Sequence, residues 1–321
     1  MSMEHVSHAN IAKFADERIN LKRDDAQIFR KQANNLKEKL EAHISQHPDF
    51  ALKKLILSGS LAKGTALRST SDIDMALYIA ADSAPELDNI GSWLAKKLRE
   101  AYPQMSHDQI RPQRYSVCIS FKGTGLDIDI VPILYDGDPN WKGNLVSRDD
   151  GSLLMTSIPM HLEFIRKRKT PTDRHYAQVI RLLKYWAKRQ KIESDDFRCK
   201  SFLIELIVAH LYDNGKLTLN DYPTALKQFF DAIARGLLNK QIAFEDYYPS
   251  HTIPSISDLV QVIDPINEKN NVTNDYTQTN LTCFLNASLA AGDAIAGAEF
   301  APTKQETVGY WREIFGNSFT V

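Results

Sequence analysis

Between residues 72 and 79 the chain alternates strictly. Ile73, Met75, Leu77 and Ile79 fall on one side of an extended backbone, and Asp72 and Asp74 on the other. The pattern predicts a strand with one buried face and two carboxylates on the opposite face. Two more alternating runs follow. In 115–121, Tyr115, Val117, Ile119 and Phe121 share a side. In 126–134, Leu126, Ile128 and Ile130 oppose Asp127 and Asp129. Lys122-Gly123-Thr124-Gly125 between them has the chemistry of a hairpin turn.

Ahead of these strands a helix is predicted over 25–46, with Phe29, Ala33, Leu36, Leu40 and Ile44 on one stripe. A short strand at 53–57 comes next, then the loop Ser58-Gly59-Ser60 and a short helix from Leu61 to Ala66. A helix over 87–101 carries Leu87, Ile90, Leu94 and Leu98 on one face. From about 160 the period becomes helical, with segments at 173–191, 201–213, 223–238, 275–299 and 303–315. The Pro-rich, polar stretch 246–274 reads as a long ordered loop or lid. The expected architecture is α/β + α. A mixed-sheet lobe over 1–160, braced by the 25–46 helix, precedes a helical lobe over 161–321, and a cleft between them is the expected place for a small-molecule site.

The chain has 321 residues, 43% of them apolar, with 39 Lys and Arg against 40 Asp and Glu. That balance excludes a wholesale basic surface while leaving room for a local patch. Three scattered cysteines, Cys118, Cys199 and Cys283, form no zinc-ligand spacing and read as reduced thiols. The charged N-terminus is unlike a signal peptide, and the apolar stretch Phe202 to Leu211 is too short to span a bilayer. A cytoplasmic protein away from membranes is expected.

The chemistry concentrates in Gly59-Ser60-Leu61-Ala62-Lys63-Gly64-Thr65 followed by Ser71-Asp72-Ile73-Asp74. Two aspartates two residues apart on a strand converge on one side, where two carboxylates with phosphate oxygens and water suit magnesium. A third carboxylate from an adjacent strand, Asp127 or Asp129, would complete a two-metal site. Gly59, Ser60 and Lys63 lie in a small-residue loop opening a helix, where free backbone N–H groups meet phosphate. An Asp-x-Asp pair alone is most often a solvated strand face; the combined run GS-x3-GT-x5-SDID is far more specific.

That run resembles the signature of the polymerase-β nucleotidyltransferase superfamily. Gly125-Leu126-Asp127-Ile128-Asp129-Ile130-Val131-Pro132 is similar to its third-carboxylate strand, and the position before two apolar residues and a proline implies Asp129. Ile263-Asp264-Pro265-Ile266-Asn267 with Asn270-Asn271-Val272 is similar to a late motif of oligoadenylate synthases. Over nearly its whole length the chain resembles the bacterial CD-NTases of anti-phage CBASS systems, relatives of cGAS, and GSLAKGTALRS, YWAK and DPINEKNNV are similar to their clade C (CdnC).

The resemblance implies a cyclic oligonucleotide synthase that uses ATP and magnesium, with manganese as a stand-in, to make an adenylate messenger such as cyclic triadenylate. It implies a HORMA-domain activator. By motif position it implies that Lys184 and Ser201 bind the triphosphate; from the residues alone, Lys184 also reads as a surface lysine and Ser201 as the N-cap of the helix beginning Phe202-Leu203-Ile204. Phe202 reads either as a base-stacking side chain or as core. Asp264, Asn267 and Asn271 read either as ribose or base contacts or as turn chemistry. The basic residues in 166–191 read as a solvated helix face or as a face for an activating double-stranded nucleic acid. Two other functions share the motif: a terminal transferase acting on RNA or another acceptor, and a catalytically silent nucleotide-sensing scaffold.

Overall fold

The computed structural model of the protein describes residues 5–46, 52–83 and 89–321. The chain divides into two compact units. One spans Leu21–Phe164; the other joins the residues up to Asn20 with Ile165–Val321.

The first unit is built on a seven-stranded sheet of order β1-β2-β5-β4-β3, with β6 on β5 and β7 on β6. The strands are β1 (Leu52–Leu57), β2 (Asp72–Ala80), β3 (Ile110–Pro112), β4 (Val117–Phe121), β5 (Leu126–Tyr135), β6 (Gly143–Val146) and β7 (Leu153–Thr156). The sheet is mixed. β2 and β5 run parallel through nine consecutive pairs, and the other pairings are antiparallel. The alternation seen in the sequence does what the pleat requires. Ile73, Met75, Leu77 and Ile79 on β2, Ile128 and Ile130 on β5, and Val117 and Ile119 on β4 are buried in one core. That face is covered by α2 (Arg23–Ser45), through Ala26, Phe29, Ala33, Leu36 and Leu40, and by α4 (Ile90–Ala101), through Ile90, Leu94 and Leu98. Fully burying each such aliphatic side chain is worth roughly 1.5–3 kcal/mol. Leu87 lies outside the described residues. The 122–125 turn closes as its chemistry suggests: Gly125 has φ +67° and its N–H donates to the Phe121 carbonyl at 2.8 Å.

The opposite face changes character along its length. At the start of β2 and β5 it carries carboxylates. Further along, Ala76, Tyr78 and Ile133 are buried with Tyr135, Trp141 and Leu145 against them. The Tyr78 hydroxyl accepts the Ile158 N–H at 3.0 Å, fastening the start of α5 (Ile158–Lys169), and burial pushes that phenol up to about 12.

The second unit contains α1 (His8–Phe14), a π-turn at Ala15–Ile19, α6 (His175–Glu193), α7 (Ser201–Asp213), α8 (Tyr222–Ala234), α9 (Gln278–Phe300) and α10 (Lys304–Phe315). Its core is aromatic, with Trp186 packed edge-on to Phe197 and Phe230. The expected boundary put all of 1–160 in one lobe, but residues up to Asn20 group here. Ile11, Phe14, Ala15 and Ile19 are buried, and Phe14 packs on Phe315 and Phe319 at 5.4 and 5.0 Å. Asn20 and Gln178 exchange reciprocal amide hydrogen bonds.

Stretch 246–274 holds a 3-10 turn at Ser250–Thr252 and is pinned by isolated bridges, Ile242 to Val262 and Ile263 to Asn271. The helix α9 is long and apolar enough to cross a membrane by length and composition. It packs against α8 and α10 and buries Leu281, Phe284, Ala291, Ala294, Ile295 and Ala298, as a core helix does.

Candidate active site

The turn after β1 brings the small-residue motif onto the first acidic strand. Ser58 donates its N–H to the Asp74 carbonyl at 2.8 Å. Gly59 then turns with φ +62°, and α3 (Gly59–Lys63) begins, two residues before the expected Leu61. A Cβ on Gly59 would fall 1.7 Å from Asp74 Oδ2. Only a residue without a side chain lets the turn lie on that carboxylate. Gly64, at φ +74°, ends the helix, and the N–H of Thr65 donates to the Ser60 carbonyl at 2.9 Å. The backbone N–H groups of this first helical turn have no acceptor further back along the helix. Lys63 is half-buried at the last position of α3.

Across the sheet, register gathers the acids. Asp72 pairs with Asp127 and Asp74 with Asp129 on the parallel neighbour, all four on the face away from the main core. Asp72 is exposed, whereas Asp74 and Asp129 are half-buried. Burial holds the Asp129 carboxyl above the usual carboxylate range, and the charges of Asp72 and Asp127 push the same way; the Cys118 thiol and the Gln113 amide oppose them. One oxygen of Asp129, Oδ1, is buried with no hydrogen-bond partner among the described residues. A buried anionic oxygen without a donor is costly and is an apt ligand for a cation.

The donor set therefore fits a hard divalent ion: carboxylates on neighbouring strands, one orphaned oxygen, and a cradle beside Asp74 that a Cβ would fill. Among the described residues no three His, Cys, Asp or Glu side chains are already closed into a ligand set. Carboxylates stacked this closely repel one another.

The helical unit places its expected residues less simply. Ser201 is exposed at the first position of α7, with Lys200 at the cap, so it is not the cap residue; Phe202 beside it is half-buried. Lys184 is not on a surface. It is buried, and its ammonium donates to Glu205 Oε1 at 2.6 Å. Asp264, Asn267 and Asn271 are buried in turns. Asp264 accepts the Ile266 N–H at 2.8 Å and Asn267 accepts the Lys269 N–H at 3.1 Å. Asn271 donates to Asp258 and to the Val260 carbonyl, both at 2.8 Å, and accepts the Val262 N–H at 2.9 Å. Turn hydrogen bonds hold all three, and the amide of Asn271 is fully engaged.

The basic run 166–191 is not one solvated face either. Arg168 is buried in a fork with Asp213, Lys167 pairs with Asp246 at 2.8 Å, and Arg189 donates to the carbonyls of Glu313 and Ile314. Sequence reasoning also passed over the next polar column on the acid face, Cys118 and Ser120 on β4 and Arg111 on β3. The alternation in Val117-Cys118-Ile119-Ser120 held the signal, since Val117 and Ile119 already claimed the core.

A Gly-Ser turn seated on a paired-aspartate strand of a mixed sheet, with further aspartates in register beside it, defines a nucleotidyltransferase of the polymerase-β type. The chain belongs to the family of the Second Messenger Oligonucleotide or Dinucleotide Synthetase domain, which matches residues 3–163. It is 54% identical over 320 residues, 99% of each chain, to the cyclic AMP-AMP-AMP synthase of Escherichia coli (strain MS 115-1). Its structure is similar to that of E. coli MS115-1 CdnC with ATP, at a TM-score of 0.92 and 53% identity, covering 99% of this chain and 100% of that one. It is equally similar to CdnC in its complex with HORMA-deltaN, at a TM-score of 0.91 and 53% identity, covering 99% of both chains.

Proposed function

We propose that this enzyme condenses ATP into a cyclic oligoadenylate, chiefly cyclic triadenylate, as a messenger of anti-phage defence in the cytoplasm. We infer further that a HORMA-domain partner switches it on. Asp72, Asp74 and Asp129 would hold magnesium, or manganese in its place; when bound, the metal neutralises the triphosphate and activates a ribose hydroxyl. The Gly59–Ser60 turn grips the donor triphosphate through backbone N–H groups and the Ser60 hydroxyl, and Lys63 adds a nearby positive charge. Gly59 sets the distance between that grip and Asp74. The hydroxyl oxygen of one nucleotide attacks the α-phosphorus of the other as the bond from that phosphorus to the α–β bridging oxygen breaks; a phosphodiester forms, pyrophosphate leaves, and the hydroxyl proton passes to solvent. The residues of the α/β unit thus work by position and charge. Ser201 and Phe202, accessible at the start of α7, remain suited to a phosphate and a base. Lys184 would serve the triphosphate only after release from Glu205.

The observation that carries this reading is the orphaned Asp129 oxygen in register with Asp74, beside a glycine that Asp74 itself requires. The 54% identity to a cyclic AMP-AMP-AMP synthase supports the product. The test is mass spectrometry of products from the four ribonucleoside triphosphates with magnesium, with and without the HORMA-domain partner. A phosphatase-resistant cyclic adenylate is expected, and Asp74→Asn should abolish it while circular dichroism stays unchanged. Products limited to terminal additions on supplied RNA would refute the reading.

A further inference from the structure

The order of strands lays out a line across the acid face. It runs from the Gly59–Ser60 turn between β1 and β2, through Asp74 on β2, Asp129 on β5 and Cys118 on β4, to Arg111 on the edge strand β3. Asp74, Asp129, Cys118 and Arg111 are successive register partners, so all four project from the same side of the sheet. Arg111 starts about 10 Å from Asp129, two strand spacings away, and its side chain leans back over β4. One guanidinium nitrogen stands 3.7 Å from Cys118 Sγ and 3.4 Å from Ser120 Oγ. Those contacts are long and neutral. Among the described residues Arg111 has no carboxylate partner, although Asp127 and Asp129 lie in the next column. The residue is exposed, so packing does not explain it. A planar fork of donors, held beside the acids yet paired with none of them, is built for a tetrahedral anion.

In-line displacement decides which anion. The attacking and leaving oxygens lie on opposite sides of the reacting phosphorus. With the donor triphosphate on the Gly59–Ser60 turn, pyrophosphate leaves toward β1, and the attacking nucleotide comes from the β4–β3 side. We propose that Arg111 binds a phosphate of the acceptor, the nucleotide or linear intermediate whose ribose hydroxyl attacks. This inference rests on the donor placement given above.

The test compares two dinucleotide acceptors in the presence of ATP, magnesium and the HORMA-domain partner. One is linear diadenylate with a 5′-triphosphate; the other lacks all 5′ phosphates. For Arg111→Gln, KM for the triphosphorylated acceptor should rise about 10-fold or more, the scale of a lost charge-assisted hydrogen bond. KM for the bare acceptor should stay as in the wild type, and Arg111→Lys should recover part of the loss. Equal KM values for the triphosphorylated acceptor in wild type and variant would overturn the assignment. So would an equal loss with both acceptors, which would make Arg111 structural. A wild-type protein that extends neither acceptor would overturn the donor-site reading along with it, whereas extension by the wild type with no effect of Arg111→Gln would spare that reading.

Discussion

Gly59 and Asp74 are fitted to each other at a level where one methyl group matters. Gly59→Ala would place Cβ inside the Asp74 carboxylate and hold an alanine at φ +62°. The carboxylate must then swing away from its place, and a displacement of about 1 Å at a positioning group costs roughly 10²-fold. We expect product formation to fall by about that factor while the strained alanine lowers the thermal transition by only a few degrees, in a comparison of initial rates and melting curves. Asp129 supplies a second residue-scale test. Its pKa is raised by burial, so the ionised form weighs against the fold, and stability falls as pH rises through its folded pKa. With metal chelated, Asp129→Asn should melt higher than wild type near neutral pH, and the gap should close as the pH drops into the carboxylate range. An identical gap at every pH would contradict this. Asp72, Asp74 and Asp129 were legible in the sequence because alternation gives the face of a side chain for nothing. Choosing Asp129 over Asp127 needed a family resemblance, since both lie on the same face; burial and the orphaned oxygen are properties of packing that no local pattern carries.

Among the elements, length and periodicity decided what could be read. The helix over 201–213 has the bounds the sequence suggested, because a run of 13 residues that is apolar nearly all round has few other solutions. β6 and β7 went unread: at four residues each, Gly-Asn-Leu-Val and Leu-Leu-Met-Thr are too short to show a period. Gly143 in β6 is there for contact, since a Cβ would sit 2.4 Å from the Leu134 carbonyl. The pair between α6 and α7 was hidden for another reason. Lys184 meets Glu205 from 21 residues away, and a helical wheel cannot name that partner. Lys184→Ala should leave Glu205 charged and buried, lowering the unfolding free energy by about 3–5 kcal/mol. Lys184→Met with Glu205→Leu should restore most of it in urea titrations. If Lys184→Ala unfolds like wild type, the buried pair is not what holds these helices together.

For the molecule as a whole, charge is spent internally. Net charge is −1, and Lys167, Arg168, Lys184 and Arg189 of the basic run near 166–191 are committed to Asp246, Asp213, Glu205 and helix-end carbonyls. Duplex DNA or RNA should therefore bind no more tightly than about 10⁻⁶ M at 0.15 M salt in filter-binding titrations, the range of non-specific contact. A tighter, salt-resistant complex would mean that another face carries the charge.

The nine-pair parallel run of β2 against β5 has one more consequence. Were either strand to slide by a single position, its two aspartates would be driven into the grease and its isoleucines out into water. A mispaired copy could not survive as a slow or leaky synthase; it would fail to fold. Assembly of the sheet and assembly of the reaction centre are therefore one event, and the fold acts as its own proofreader.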